Sequence, residues 1–144
     1  MTDWECLTEL VSRLGLLVDA RDWPRVQELF TDQVDVDYSS LNGGVGQVVG
    51  AADLIAGWRE NLGRLRATHH LIANHVVAIT GDRATVAANV TATHVSADAT
   101  GSPLWTVGGR YDVVARRTGG EWRIAGLTLT VRWVWGNQAI MSPR

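Results

Sequence analysis

The sequence predicts an α+β fold, a cone-shaped curved antiparallel sheet wrapped around a pocket that three helices from the N-terminal half enclose. Three observations carry this. The first half of the chain holds segments whose apolar residues recur at helical spacing, while the second half falls into four long segments of two-residue alternation separated by turn residues. Several polar side chains suited to proton transfer also fall on the apolar faces of these segments, where burying a hydroxyl or imidazole without a partner costs roughly 1–3 kcal/mol. Side chains placed so are expected to face a cavity.

Leu7, Leu10, Val11, Leu14, Leu17 and Val18 make one apolar stripe and predict a helix over 3–20. Asp22-Trp23-Pro24 reads as an N-cap followed by a first-turn proline, opening a second helix over 23–30. A strand over 34–39 follows, with Val34, Val36 and Tyr38 on its apolar face and Asp35 and Asp37 on the solvated one. Residues 41–46 form a glycine-rich loop without the lysine and Ser/Thr of a phosphate loop, so the loop reads as a flexible rim. The third helix covers 51–65 and buries Leu54, Ile55, Trp58 and Leu62. Strands are expected over 68–79, 83–96, 104–117 and 121–135, joined by Gly81-Asp82, the 97–103 loop and Gly119-Gly120.

A single domain spanning 1–144 is expected at this length, with 46% apolar and 19% charged residues. A net charge of −2 with scattered basic residues argues against a nucleic-acid partner. Cys6 is the only cysteine, which excludes an intramolecular disulfide and a thiolate zinc site. The acidic start, Met1 to Glu5, leads into an amphipathic helix, so neither a secretory signal nor a membrane span is expected and the location expected is cytoplasmic.

In the stretch 84–94, alternation puts Ala84, Val86, Ala88, Val90, Ala92 and His94 on one face, and the small residues beside His94 leave room for a ligand. Tyr38 points inward by the same argument. The run 67–79 is apolar on both faces, so alternation leaves open whether His69 or His70 is the inward one. Asp19 ends the first helix, where the helix dipole disfavours negative charge. It has no capping role comparable to that of Asp22, so an imidazole partner is expected. Among the seven tryptophans, Trp105, Trp133 and Trp135 lie on the later strands. A pocket lined by aromatics suits a flat, apolar, oxygenated ligand. Trp58, Trp105 and Tyr111 are the candidate binding residues, Tyr111 standing between plain core aromatic and pocket wall. His75 and His69 read as surface or sheet-face residues, and Asp35, Asp37 and Asp98 as solvated.

The chain resembles scytalone dehydratase and the SnoaL-like polyketide cyclases, within the superfamily of nuclear transport factor 2 and ketosteroid isomerase. The residues that carry the likeness are Asp19-Ala20-Arg21-Asp22-Trp23, Val36-Asp37-Tyr38, Ala67-Thr68-His69-His70 and the stretch Glu121 to Leu127. The resemblance implies four catalytic residues. Asp19 would be the carboxylate that orients a histidine, His94 that histidine, His70 the second histidine, and Tyr38 the tyrosine that holds a water against a substrate carbonyl. The chain departs from the dehydratase at Val18, where that enzyme has another tyrosine, and near Tyr111, where it has a pocket asparagine.

These features lead to the expectation of a cofactor-independent lyase, dehydrating or isomerising a small hydrophobic, oxygenated, polyketide-like molecule by acid–base chemistry. A cyclase that mainly shapes its substrate, pericyclic closure included, is the second expectation, and a binding or assembly domain without chemistry the third. No metal and no cofactor is expected, nor a membrane partner. The partners expected are a small-molecule substrate and further copies of the chain in a homo-oligomer.

Overall fold

The computed structural model describes residues 1–142. Helix α1 (Asp3–Asp19) starts from a capping box in which Thr2 Oγ1 accepts the Glu5 N–H at 3.1 Å and Glu5 Oε2 accepts the Thr2 N–H at 2.7 Å. It ends at once after Asp19, because Arg21 takes φ +59° and the N–H groups of Arg21 and Asp22 turn back onto the Val18 and Leu17 carbonyls. Helix α2 (Trp23–Glu28) is capped by Asp22 as its sequence indicates. It is shorter than expected, since Phe30 already opens strand β1 (Phe30–Asp37).

Two short elements were not foreseen in the glycine-rich region. A single turn α3 (Ser39–Asn42) follows Tyr38, and a four-residue strand β2 (Gln47–Gly50) pairs antiparallel with β1. Asp37 is correspondingly more than solvated: its Oδ1 accepts the Ser39 N–H at 2.9 Å and the Ser39 hydroxyl at 2.6 Å, fixing the turn. Helix α4 (Ala51–Gly63) comes next, then the four long strands β3 (Ala67–Thr80), β4 (Arg83–Val95), β5 (Leu104–Thr118) and β6 (Glu121–Gly136). A 3₁₀ turn over Gln138–Met141 closes the described chain.

The six strands form one curved, unclosed sheet in the order β2-β1-β6-β5-β4-β3. The α+β class holds as expected, with one departure from an all-antiparallel sheet: β1 runs parallel to β6. The long stretch of chain between β1 and β6 makes this possible, because a parallel neighbour needs a long crossover rather than a hairpin. Register divides the inner face into two halves. Ala84, Val86 and Ala88 on β4, Val113 and Ala115 on β5, and Ile124 and Leu127 on β6 form an apolar core with Leu7 and Val11. The other half of the same strands, Val90 to His94 and Trp105 to Tyr111, lines a cavity instead. Trp133 and Trp135 lie on the outer face, 49% and 78% exposed, and do not line that cavity. The ring of Trp133 lies against Gly108 so closely that a Cβ there would sit 2.0 Å from it.

Candidate functional site

The cavity holds about 340 Å³. Its floor is the inner face of β4 and β5, and its wall is Leu14, Gly15 and Val18 of α1 with Trp58, Asn61 and Leu62 of α4. Tyr38 and Leu41 enter from the end of β1 and from α3, and Gln138 and Met141 from the C-terminal turn. That turn is tied down twice. Asn137 Nδ2 donates to the Thr100 and Ser102 carbonyls at 3.2 and 3.0 Å, and Arg64 donates to the Ile140 carbonyl at 3.0 Å and to that of Met141.

All four residues expected to be catalytic, and all three expected to bind substrate, meet this cavity or its wall. Asp19 stands behind His70, whereas Tyr38, His70, His94, Trp58, Trp105 and Tyr111 line the space itself. The choice between His69 and His70 is settled by burial, since His69 is exposed and Thr68, His70 and Ile72 share the inner face. A bulge at Asn74, φ +60°, shifts the alternation so that His75 also turns inward, outside the cavity, where its Nε2 lies 3.2 Å from Ser12 Oγ.

The partner of Asp19 differs from the one the resemblance implies. Its carboxylate engages His70, not His94: Oδ1 lies 2.7 Å from His70 Nδ1 and accepts the Thr68 hydroxyl at 2.9 Å, while Oδ2 accepts the His70 backbone N–H at 2.7 Å. The physical reason is placement. Helix α1 crosses β3, the last strand of the sheet, so the residue ending α1 reaches a β3 side chain; His94 lies one strand further in. His94 finds a different partner, the Trp105 backbone carbonyl directly opposite on β5, 3.1 Å from its Nδ1.

Both contacts fix a tautomer. A carboxylate and a carbonyl only accept, so the hydrogen lies on Nδ1 of each imidazole and Nε2 is the nitrogen each can offer to the cavity. Thr68 pairs with His94 and Ala92 with His70 across β3 and β4, which makes the two histidines diagonal neighbours with ring centroids 6.2 Å apart at 77°. Trp105 packs on His94 from the other side at 5.1 Å.

Electrostatics separates the members of the site. Burial pushes the Asp19 carboxyl up, but hydrogen bonds from His70 and Thr68 outweigh it and hold the group below its ordinary value, so it stays an anion. Burial is also the main influence on His94 and lowers its pKa, with the Trp105 carbonyl opposing and His70 adding, so its neutral form is favoured. Burial pushes the Tyr111 phenol up to about 12 and raises Tyr38 well above its ordinary value, each beside the other's hydroxyl. Both phenols therefore keep their protons and can donate.

Sequence reasoning missed Thr68, although its place two residues before His70 on one strand was a usable signal. It also missed Asn61 and Gln138, for which the sequence holds no comparable sign. Among the described residues, no group of three or more His, Cys, Asp and Glu is arranged to hold a metal ion, and no helix is long and apolar enough to cross a membrane.

The curved, unclosed α+β sheet is a fold found among the nuclear transport factor 2-like proteins. Within that class the chain belongs to the SnoaL-like domain family, whose model matches residues 1–128. No curated protein matches the sequence. Among solved structures, the Kfla4162 protein from Kribbella flavida is similar, at 33% identity over 92% of this chain and 93% of that one, with a TM-score of 0.88. A protein from Novosphingobium aromaticivorans, provisionally named a scytalone dehydratase, shares the fold at 16% identity over 92% and 86% of the two chains, TM-score 0.81. So does a hexachlorocyclohexane dehydrochlorinase, at 16% identity over 97% and 92%, TM-score 0.74.

Proposed function

We propose that this protein is a cofactor-independent lyase that removes a proton next to a carbonyl of a small, uncharged, oxygenated substrate and expels a neighbouring hydroxyl, or returns the proton elsewhere as an isomerase. One observation carries the reading: His70, its Nδ1–H held by a carboxylate that is kept ionised, offers a bare Nε2 to an apolar cavity. Nε2 takes the proton, the C–H electron pair becomes the new double bond, and Asp19 supplies the countercharge for the imidazolium formed. The same imidazolium then gives its proton to the departing hydroxyl, which leaves as water. Tyr38 and Tyr111, both protonated, are the donors for the carbonyl oxygen on which charge develops. His94, neutral, orients a substrate hydroxyl as an acceptor. The names of two structural neighbours, a dehydratase and a dehydrochlorinase, describe eliminations and agree with this class.

A substrate-shaping cyclase is the second reading, and the aromatic wall of Trp58, Trp105 and Tyr111 is the observation that favours it. One experiment separates the two. A panel of neutral β-hydroxycarbonyl compounds is followed for loss of water and for deuterium uptake beside the carbonyl. Asp19→Asn should keep the fold yet lower turnover by about 10²–10⁴-fold, because the amide cannot stabilise the imidazolium. Unchanged turnover together with a flat pH profile would replace proton transfer by shaping.

A further inference from the structure

Asp19 and His70 belong to different elements, and a 2.7 Å hydrogen bond between them survives only if those elements keep their distance. Two residues after Asp19, the chain does something costly. Arg21 adopts φ +59°, a conformation that disfavours any residue with a Cβ, and only Asn74 shares it among the described non-glycine residues. The turn aims the Arg21 side chain at the far end of α4. There Nη1 donates to the Gly63 carbonyl at 2.6 Å and Nη2 donates to that of Leu65. These carbonyls sit at the negative end of the α4 dipole, which a guanidinium suits, and its fork engages both at once. Immediately beyond them begins β3, with Thr68 and His70.

We infer that Arg21 is a positioning residue for the Asp19–His70 pair, clamping the turn that ends α1 to the α4–β3 junction so that carboxylate and imidazole meet in one geometry. Asp19 grips residues 68–70 and Arg21 grips residues 63–65, so the two form a two-point attachment of the end of α1 to one stretch of chain. This explains why a strained arginine occupies a position where glycine would be relaxed. The inference rests on the reading of the pair as proton-transfer machinery, but its test does not depend on turnover alone.

The test is the proton NMR signal of His70 Nδ1–H, identified by its disappearance in His70→Gln and in Asp19→Ala. Held by a carboxylate, this proton should give a downfield, slowly exchanging signal in the unaltered protein. Arg21→Gly relieves the backbone but removes the clamp. It should stay folded while the signal broadens into solvent exchange, and turnover on any substrate found should fall about ten- to a hundredfold with KM little changed. Arg21→Lys, able to reach one carbonyl, should fall between. A signal of unaltered position and exchange rate in Arg21→Gly would overturn the inference; if that variant does not fold, Arg21→Lys decides on the same comparison. Loss of the signal in Arg21→Gly, in a protein whose Asp19→Asn variant proves fully active, would leave the positioning role standing and remove the catalytic one.

Discussion

His94 shows how one buried side chain ties chemistry to stability. It is 6% exposed, and burial lowers its pKa, so the unfolded chain binds its proton more readily than the folded one. The sign follows: the contribution of His94 is fully present above the unfolded value of about 6.5 and is lost as pH falls through the lower folded value. His94→Gln should therefore flatten the acid-side decline of stability just below pH ~6.5, measured by urea unfolding at a series of pH values. An equally steep decline in the variant would mean that other groups carry it. Asp19, also lowered, acts in the same direction but further into acid, below the ordinary carboxylate range near 4. At this scale the sequence was legible where alternation was clean, as for Tyr38 and His94. Alternation alone left His69 and His70 open, and only the resemblance named His70, because β3 carries exposed apolar residues such as Leu71 and Val76 on its outer face. It could not give the partner of Asp19, because that depends on which strand α1 crosses.

Between elements, the contact that matters most to the site is α1 on β3, and Gly15 is one place where the two pack tightly. A Cβ at Gly15 would meet His70 Cβ and Ile72 Cδ1 at 3.2 Å and the His70 carbonyl oxygen at 3.4 Å. Glycine inside a helix costs about 0.5–1 kcal/mol relative to alanine, a cost that the close approach of Asp19 to His70 accounts for. Gly15→Val should destabilise by about 1–3 kcal/mol through overpacking and lower turnover as well, since lifting α1 from β3 lengthens the carboxylate–imidazole contact. A valine variant with unaltered melting temperature and activity would contradict this. Element limits were legible wherever periodicity ran long: α1, α4 and the four long strands fall within two residues of their expected bounds. The short pieces, α3, β2 and the C-terminal turn, were not. Four residues hold too little pattern, and each exists because a neighbour completes it, as β1 does for β2 and Arg64 does for the C-terminal turn.

For the whole molecule, the class of fold followed from helices preceding strands, while the parallel pairing of β1 with β6 did not, because pairing partners distant in sequence leave no local trace. The open sheet ends at β3, the strand that carries His70. A terminal strand has main-chain donors with no neighbouring strand to accept them. At His70 a carboxylate takes the place of that missing strand. The site thus carries its own clock in deuterated water: the His70 amide should be a slow proton on a border where unpaired amides exchange quickly, and it should become fast in Asp19→Ala. Rapid exchange at His70 in the unaltered protein would contradict the arrangement. Slow exchange would let the state of the site be followed, through a single backbone hydrogen, before any substrate is known.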